Sequence, residues 1–240
     1  MNYTLTGHDV KHGAEEMLLQ LLPAALLRQN TDDGVQDFCH SALHEQAGMM
    51  VVDTQTRLSG VVRTSQRQAD VTGQDEMARK RTASELVKLG IYDTVAPSLQ
   101  TPPDWGALTG VRPAKLVRSL LDRGLTRGQV AERFRSRYFV SPARTALAVR
   151  CAAYAQQALE QMEDNTVSLY LGIPFCPSRC AYCSFVSSSI EKSADLIAPY
   201  VDALCEEVRK TGQLLRERGQ KVTSVYIGGG TPTTLSAEQL

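Results

Sequence analysis

Apolar positions in the first ninety residues change their period several times, and each period predicts an element. Tyr3 and Leu5 alternate with polar neighbours, as in a half-buried strand. Met17, Leu18, Leu21 and Leu22 recur at helical spacing, and Pro23 is expected to kink or end that helix. Residues 49–53 and 57–62 read as two short strands of a hairpin, although no Asn-Gly type turn joins them. Over residues 75–89, Met77, Ala78, Leu86, Val87 and Leu89 fit one helical face. Residues 95–104 hold three prolines and read as a linker.

A helical block follows. Pro113 stands where a first turn would begin and Gly124 where it would end, so residues 113–123 predict one helix, and residues 126–138 a second. A third spans 141–162, with Ser141 as N-cap, Pro142 at the first helical position and Ala146, Val149, Ala153 and Leu159 as its apolar positions. Residues 163–165 read as a turn. Beyond them the pattern becomes strand (167–173), amphipathic helix (198–218, with Val201, Leu204, Cys205 and Val208 on one face) and strand (222–227). Strand, helix, strand in that order predicts a parallel βαβ unit, and no internal repeat is evident. The fold class expected is therefore α/β. It divides into a mixed α+β region over 1–96, a helical linker region over 97–165, and a βαβ region over 166–240.

Composition narrows the classes. The apolar fraction of 42% suits a folded globular chain. Lys plus Arg equals Asp plus Glu at 26 each, so no global field argues for a polyanionic partner. No stretch approaches the roughly 18 apolar residues of a membrane span, and the first residues lack a signal-peptide pattern, so a cytoplasmic location is the expectation. Between Trp105 and Arg150, ten Lys or Arg stand against Asp122 and Glu132. That excess reads first as a solvated helical face. Its alternative is a docking surface for an anion such as RNA or a propionate-bearing tetrapyrrole, with nucleic acid the less favoured because no known nucleic-acid motif is present.

Six cysteines, three of them in Cys176-Pro-Ser-Arg-Cys180-Ala-Tyr-Cys183, do not form an extracellular disulfide pattern. The C-x3-C-x2-C spacing lies on the loop leaving a strand and can offer three thiolates to one iron–sulfur cluster. One iron would then lack a protein ligand and be open to a small molecule. Structural zinc would need a fourth ligand, and no His lies beyond His44, so Cys151, Cys205 or a distant His would have to be recruited. Three free thiols are the bland alternative. Cys205 and Cys151 read as small core residues. His8 with His12, and Cys39-His40 with His44, have metal-like spacing without a third ligand, while Arg112 and Lys115 at a helix start suit packing better than anion binding.

Tyr170-Leu-Gly-Ile-Pro-Phe-Cys176, the cysteine loop with Tyr182 before its last cysteine, and Gly228-Gly229-Gly230-Thr231-Pro232 together resemble the radical S-adenosylmethionine superfamily. More narrowly they are similar to the oxygen-independent coproporphyrinogen III oxidase family. The segment Trp105-Gly-Ala-Leu-Thr-Gly-Val-Arg-Pro-Ala-Lys115 is similar to that family's long-N-terminus branch, called HemZ or coproporphyrinogen dehydrogenase. The resemblance implies that Cys176, Cys180 and Cys183 ligate a [4Fe–4S] cluster. It implies also that Tyr170 and Tyr182 lie beside S-adenosylmethionine, and that Gly229, Gly230 and Thr231 meet its methionine end. Glycines at a strand end suit that role independently, because they let backbone groups approach a ligand. Further implications are a partial barrel begun by the βαβ unit, a tetrapyrrole substrate, and an electron donor such as flavodoxin or ferredoxin.

The resembling family makes protoporphyrinogen IX from coproporphyrinogen III by oxidative decarboxylation. Its decarboxylases carry a further cysteine two positions after the third cluster cysteine, where this chain has Phe185. Haem-chaperone relatives and the long-N-terminus branch share that change, so a haem-binding protein without turnover is the alternative reading, with radical RNA modification a third. A full partial barrel needs about 200 residues, so this chain is expected to be a fragment, inactive by itself, with Ser236 capping the start of a next helix and residues 1–162 able to fold alone.

Overall fold

The alternating Tyr3 and Leu5 lie on strand β1 (Asn2–Thr6) in a computed structural model that describes residues 1–22, 28–29 and 37–240. Helix α1 (Lys11–Leu21) follows and buries Met17, Leu18 and Leu21. Pro23 lies outside the described residues. Strands β2 (Arg28–Gln29), β3 (Phe38–Gln46), β4 (Met49–Leu58) and β5 (Val61–Asp70) complete a mixed sheet in the order β2-β1-β3-β4-β5. β1 runs parallel to β2 and β3, and β3-β4-β5 form an antiparallel meander. Helix α2 (Glu76–Val95), capped by the Asp75 carboxylate accepting from the Ala78 N–H, packs Leu86, Val87 and Ile91 into one core with Val52, Met17 and Leu18.

Two sequence expectations are corrected here. Residues 57–62 are not one strand, because Ser59 and Gly60 form the β4–β5 turn, with φ of 51° and 81°. A second two-residue turn, Ala47-Gly48, joins β3 to β4. Both have the left-handed conformation of a type I′ hairpin without the Asn-Gly signature, and β5 is polar from Arg63 to Gln68, so neither the turns nor the full strand announced themselves. Met77 is exposed rather than on the buried face of α2.

The helices α3 (Pro113–Asp122), α4 (Arg127–Ser136) and α5 (Pro142–Glu160) begin and end close to the expected positions. Thr126 and Gln129 form a reciprocal capping box at α4. The Ser141 Oγ accepts from the Arg144 N–H at 3.3 Å, ahead of α5. Val117, Leu120, Val130, Phe134, Ala148 and Ala152 join the same core as α1 and α2. On α5 the buried residues are Thr145, Ala148 and Ala152, one position from the expected set, and Leu159 is exposed. The basic residues of this block are partly neutralised: Arg137 pairs with Glu85 at 2.6 Å, Arg135 with Glu132 at 3.0 Å and Arg144 with Asp104 at 3.4 Å. Such pairing agrees with a solvated face.

Two compact units emerge, Met1–Gln157 and Ala158–Leu240. The second holds parallel strands β6 (Thr166–Ile173) and β9 (Lys221–Gly229) joined through helix α6 (Ile190–Glu217). Its small core is Ile173, Phe175 and Leu235, against which Ile190, Ile197, Tyr200, Val201 and Leu204 pack. The chain is mixed α/β. Among the described residues no helix is long and apolar enough to cross a membrane. Cys205 and Cys151 are both exposed, contrary to their reading as core residues, whereas Cys39 is buried and burial pushes its thiol up to about 12.

Candidate functional site

β6 carries the branched and aromatic residues that favour a pleated strand and ends at Ile173, because Pro174 has no N–H to continue the ladder. The chain resumes at once as β7 (Phe175–Cys176), which pairs with β8 (Ser188–Ser189). The Ser188 N–H also donates to the Pro174 carbonyl at 2.8 Å. Residues 177–187, which contain Cys180, Tyr182 and Cys183, therefore form a loop closed at its base by backbone hydrogen bonds. Beneath it, Phe175 meets Tyr200 edge-on, with ring centroids 5.3 Å apart at 89°.

The glycine run after β9 folds against the same short strand. The Gly230 N–H donates to the Ile173 carbonyl at 2.7 Å and the Thr231 N–H to the Phe175 carbonyl at 2.8 Å. A Cβ on Gly230 would stand 2.6 Å from the Phe175 oxygen and 2.9 Å from the Cys176 Sγ. Only glycine permits that approach, since real Cβ contacts do not come so close. Gly229 has φ of 104°, again glycine's province. The Thr231 hydroxyl donates to the Cys176 sulfur at 3.6 Å. Cys176, Gly230 and Thr231, distant in sequence, are neighbours in space.

On the loop itself the Cys183 N–H donates to the Cys180 carbonyl at 3.0 Å, making a tight turn. Tyr182 is 90% exposed, and a hydrogen bond to Cys180, followed by the charges of Cys180 and Cys183, raises its hydroxyl above the ordinary phenol value. Cys180 is exposed, and Cys176 and Cys183 are half-buried. Among the described residues no three His, Cys, Asp or Glu side chains converge on a metal position. The structure thus joins Cys176 to the glycine turn and Cys180 to Tyr182 and Cys183, without drawing the three thiols into one set. Their chemistry fits an iron–sulfur cluster nonetheless: three soft sulfur donors fall within residues 176–183, with the glycine turn packed against the first of them. Phe185, on the same loop, is exposed.

Tyr170 is 59% exposed and stacks on Tyr226, with centroids 5.6 Å apart at 24°. Tyr226 was missed by sequence reasoning, yet a signal was present. Ser168-Leu-Tyr170-Leu-Gly172 on β6 and Ser224-Val-Tyr226-Ile-Gly228 on β9 share one Ser-x-Tyr-x-Gly pattern. The strands pair it in register, Ser168 with Ser224, Tyr170 with Tyr226 and Gly172 with Gly228. The pattern is five residues long and separated by a whole βα unit, too short for a search by period.

No protein-family model matches the chain. Over 139 residues it is 37% identical to the oxygen-independent coproporphyrinogen-III oxidase-like protein HemZ of Bacillus subtilis, a match covering 57% of this chain and 28% of that protein. The heme chaperone HemW of Buchnera aphidicola is 38% identical over 74 residues, 31% of this chain and 19% of the relative. An oxygen-independent coproporphyrinogen III oxidase of Pseudomonas aeruginosa is 42% identical over 76 residues, 32% of this chain and 16% of the relative. The matches span less than a third of each of these curated relatives.

Proposed function

From kinship with the oxygen-independent coproporphyrinogen III oxidase-like proteins, we propose that this chain carries the cluster-binding and cofactor-binding start of a radical S-adenosylmethionine protein acting on a tetrapyrrole. The observation that supports it best is the Gly230–Thr231 turn folded onto Cys176, which brings the glycine run against the first cysteine of the C-x3-C-x2-C loop. In this reading Cys176, Cys180 and Cys183 hold a [4Fe–4S] cluster. Tyr170 and Tyr182 flank S-adenosylmethionine, and Gly229, Gly230 and Thr231 receive its methionine end. The β6-α6-β9 unit opens a partial barrel, with the site at the carboxyl ends of its strands, where such folds place ligands.

When bound, the reduced cluster and S-adenosylmethionine supply a 5′-deoxyadenosyl radical that removes hydrogen from a substrate carbon. The chain's own contributions are positional. The β7–β8 ladder fixes the two ends of the cysteine loop, and the Thr231 hydroxyl holds the Cys176 sulfur by hydrogen bond. An electron donor such as flavodoxin or ferredoxin would reach the site through the exposed loop, and the protein would work in the cytoplasm.

Coproporphyrinogen III oxidation is the first reading of the reaction. A second, delivery of haem without decarboxylation, is favoured by Phe185 at the position where decarboxylases carry a cysteine, and by similarity to a protein named heme chaperone. One experiment separates them: anaerobic incubation of the iron-loaded protein with coproporphyrinogen III, S-adenosylmethionine and a reductant, followed by product analysis. Loss of two carboxyl groups per tetrapyrrole supports the oxidase. Unchanged substrate, with tight haem binding by the same preparation, supports the chaperone, and neither outcome with no iron uptake removes both.

A further inference from the structure

The in-register Ser-x-Tyr-x-Gly pattern puts like residues side by side on one face of the β6–β9 pair, since alternate residues of a strand share a face. Ser168 and Ser224 hydroxyls are 2.8 Å apart. One step toward the cysteine loop, the rings of Tyr170 and Tyr226 stack. One step further, Gly172 and Gly228 leave the face bare. That bareness is required, because a Cβ on Gly228 would stand 2.5 Å from Cε1 of Tyr226 and 3.0 Å from the hydroxyl of Tyr170. Both rings therefore lean over Gly228, and the Tyr170 hydroxyl crosses onto the neighbouring strand at the first residue of the glycine run.

A tyrosine that is 59% exposed has several rotamers open to it in the absence of a neighbour. The stacked ring of Tyr226 occupies the space beside Tyr170 on the β9 side, and cross-strand aromatic pairs of this kind favour a fixed geometry. We propose that Tyr226 is a positioning residue for the S-adenosylmethionine site: it acts through Tyr170, holding that side chain over Gly228 and toward the glycine turn. The proposal rests on the reading of Tyr170 as a cofactor neighbour given above. Its hydroxyl is not needed for stacking, so phenylalanine should serve in its place.

The test uses the whole chain reconstituted anaerobically with iron and sulfide, and titrates it calorimetrically with S-adenosylhomocysteine, which binds without reacting. Tyr226→Leu is expected to weaken binding about tenfold and Tyr226→Phe by less than about twofold, the scale of one aromatic pair. In a Tyr170→Leu background, Tyr226→Leu should add no further loss, because the two act as a unit. Iron per chain should be the same in wild type and Tyr226→Leu. Wild-type affinity in Tyr226→Leu, additive losses in the double variant, or a parallel fall in iron content each overturn the positioning role while leaving the cofactor reading intact. Failure of the wild-type protein itself to bind the probe removes the cofactor reading and this proposal together.

Discussion

Gly230 and Cys176 are separated by more than fifty residues, yet a single carbon added to Gly230 would lie 2.9 Å from the Cys176 sulfur. The turn that ends β9 and the loop that leaves β7 are fitted against each other with no spare volume.

Gly230→Ala should therefore be disruptive out of proportion to its size. Besides the Cys176 sulfur, the obstacles are the Phe175 carbonyl at 2.6 Å and the Ile173 carbonyl at 3.0 Å, both backbone, which yield only if the strand moves. A destabilisation of the Ala158–Leu240 unit by about 1–3 kcal/mol is expected. Reconstituted iron per chain should fall with it. Iron measured by colorimetric assay, with urea unfolding beside it, checks both, and a fully loaded, fully stable variant would contradict the tight fit.

The cysteines should separate into two classes. Anaerobic reconstitution with iron and sulfide is expected to give about four irons per chain and a broad charge-transfer band. Cys180→Ala should abolish the band, whereas Cys205→Ala and Cys151→Ala should leave it, because those two exposed thiols lie outside the loop. Stoichiometric zinc with no iron uptake would sink the cluster assignment.

Thr54 and Gly90 offer a stability test of the first unit with opposite signs. The Thr54 hydroxyl is buried without a hydrogen-bond partner among the described residues. Thr54→Val should consequently raise stability by about 1 kcal/mol, since an unpaired polar atom is replaced by a methyl of the same shape. A Cβ on Gly90 would collide with Thr54 where α2 crosses β4, so Gly90→Ala should lower stability by about 1–3 kcal/mol. Shifts in urea midpoint at unchanged slope read both out.

The Glu16–Lys88 pair links α1 to α2 at 2.7 Å and gives the first unit an acid-side dependence. Burial alone would raise the Glu16 carboxyl, but the hydrogen bond and charge of Lys88 prevail and hold it below the ordinary value of 4.5. A depressed carboxylate stabilises the fold above that ordinary value, and the contribution is lost as pH falls below it toward the folded value. Melting temperature should thus drop more steeply below about pH 4.5 in wild type than in Glu16→Gln. Parallel curves for the two proteins would show that the pair contributes nothing.

The sequence by itself determined whatever depends on local period and local chemistry. The helical repeat of Met17, Leu18 and Leu21, the Ser141 cap with Pro142 at α5, and the proline and glycine bounding α3 announced their elements because helix formation depends on neighbours a few residues away. The C-x3-C-x2-C spacing carried its chemistry in the same way. Only the tertiary structure decided which distant residues meet. β5 is too polar beyond Val62 to be read at its full length and extends because β4 supplies its hydrogen bonds, while Cys205 lies on the exposed rather than the packed side of α6. The contact of Gly230 with Cys176 and the stack of Tyr226 on Tyr170 arise from the parallel register of β6 and β9, a long-range pairing that local sequence does not encode.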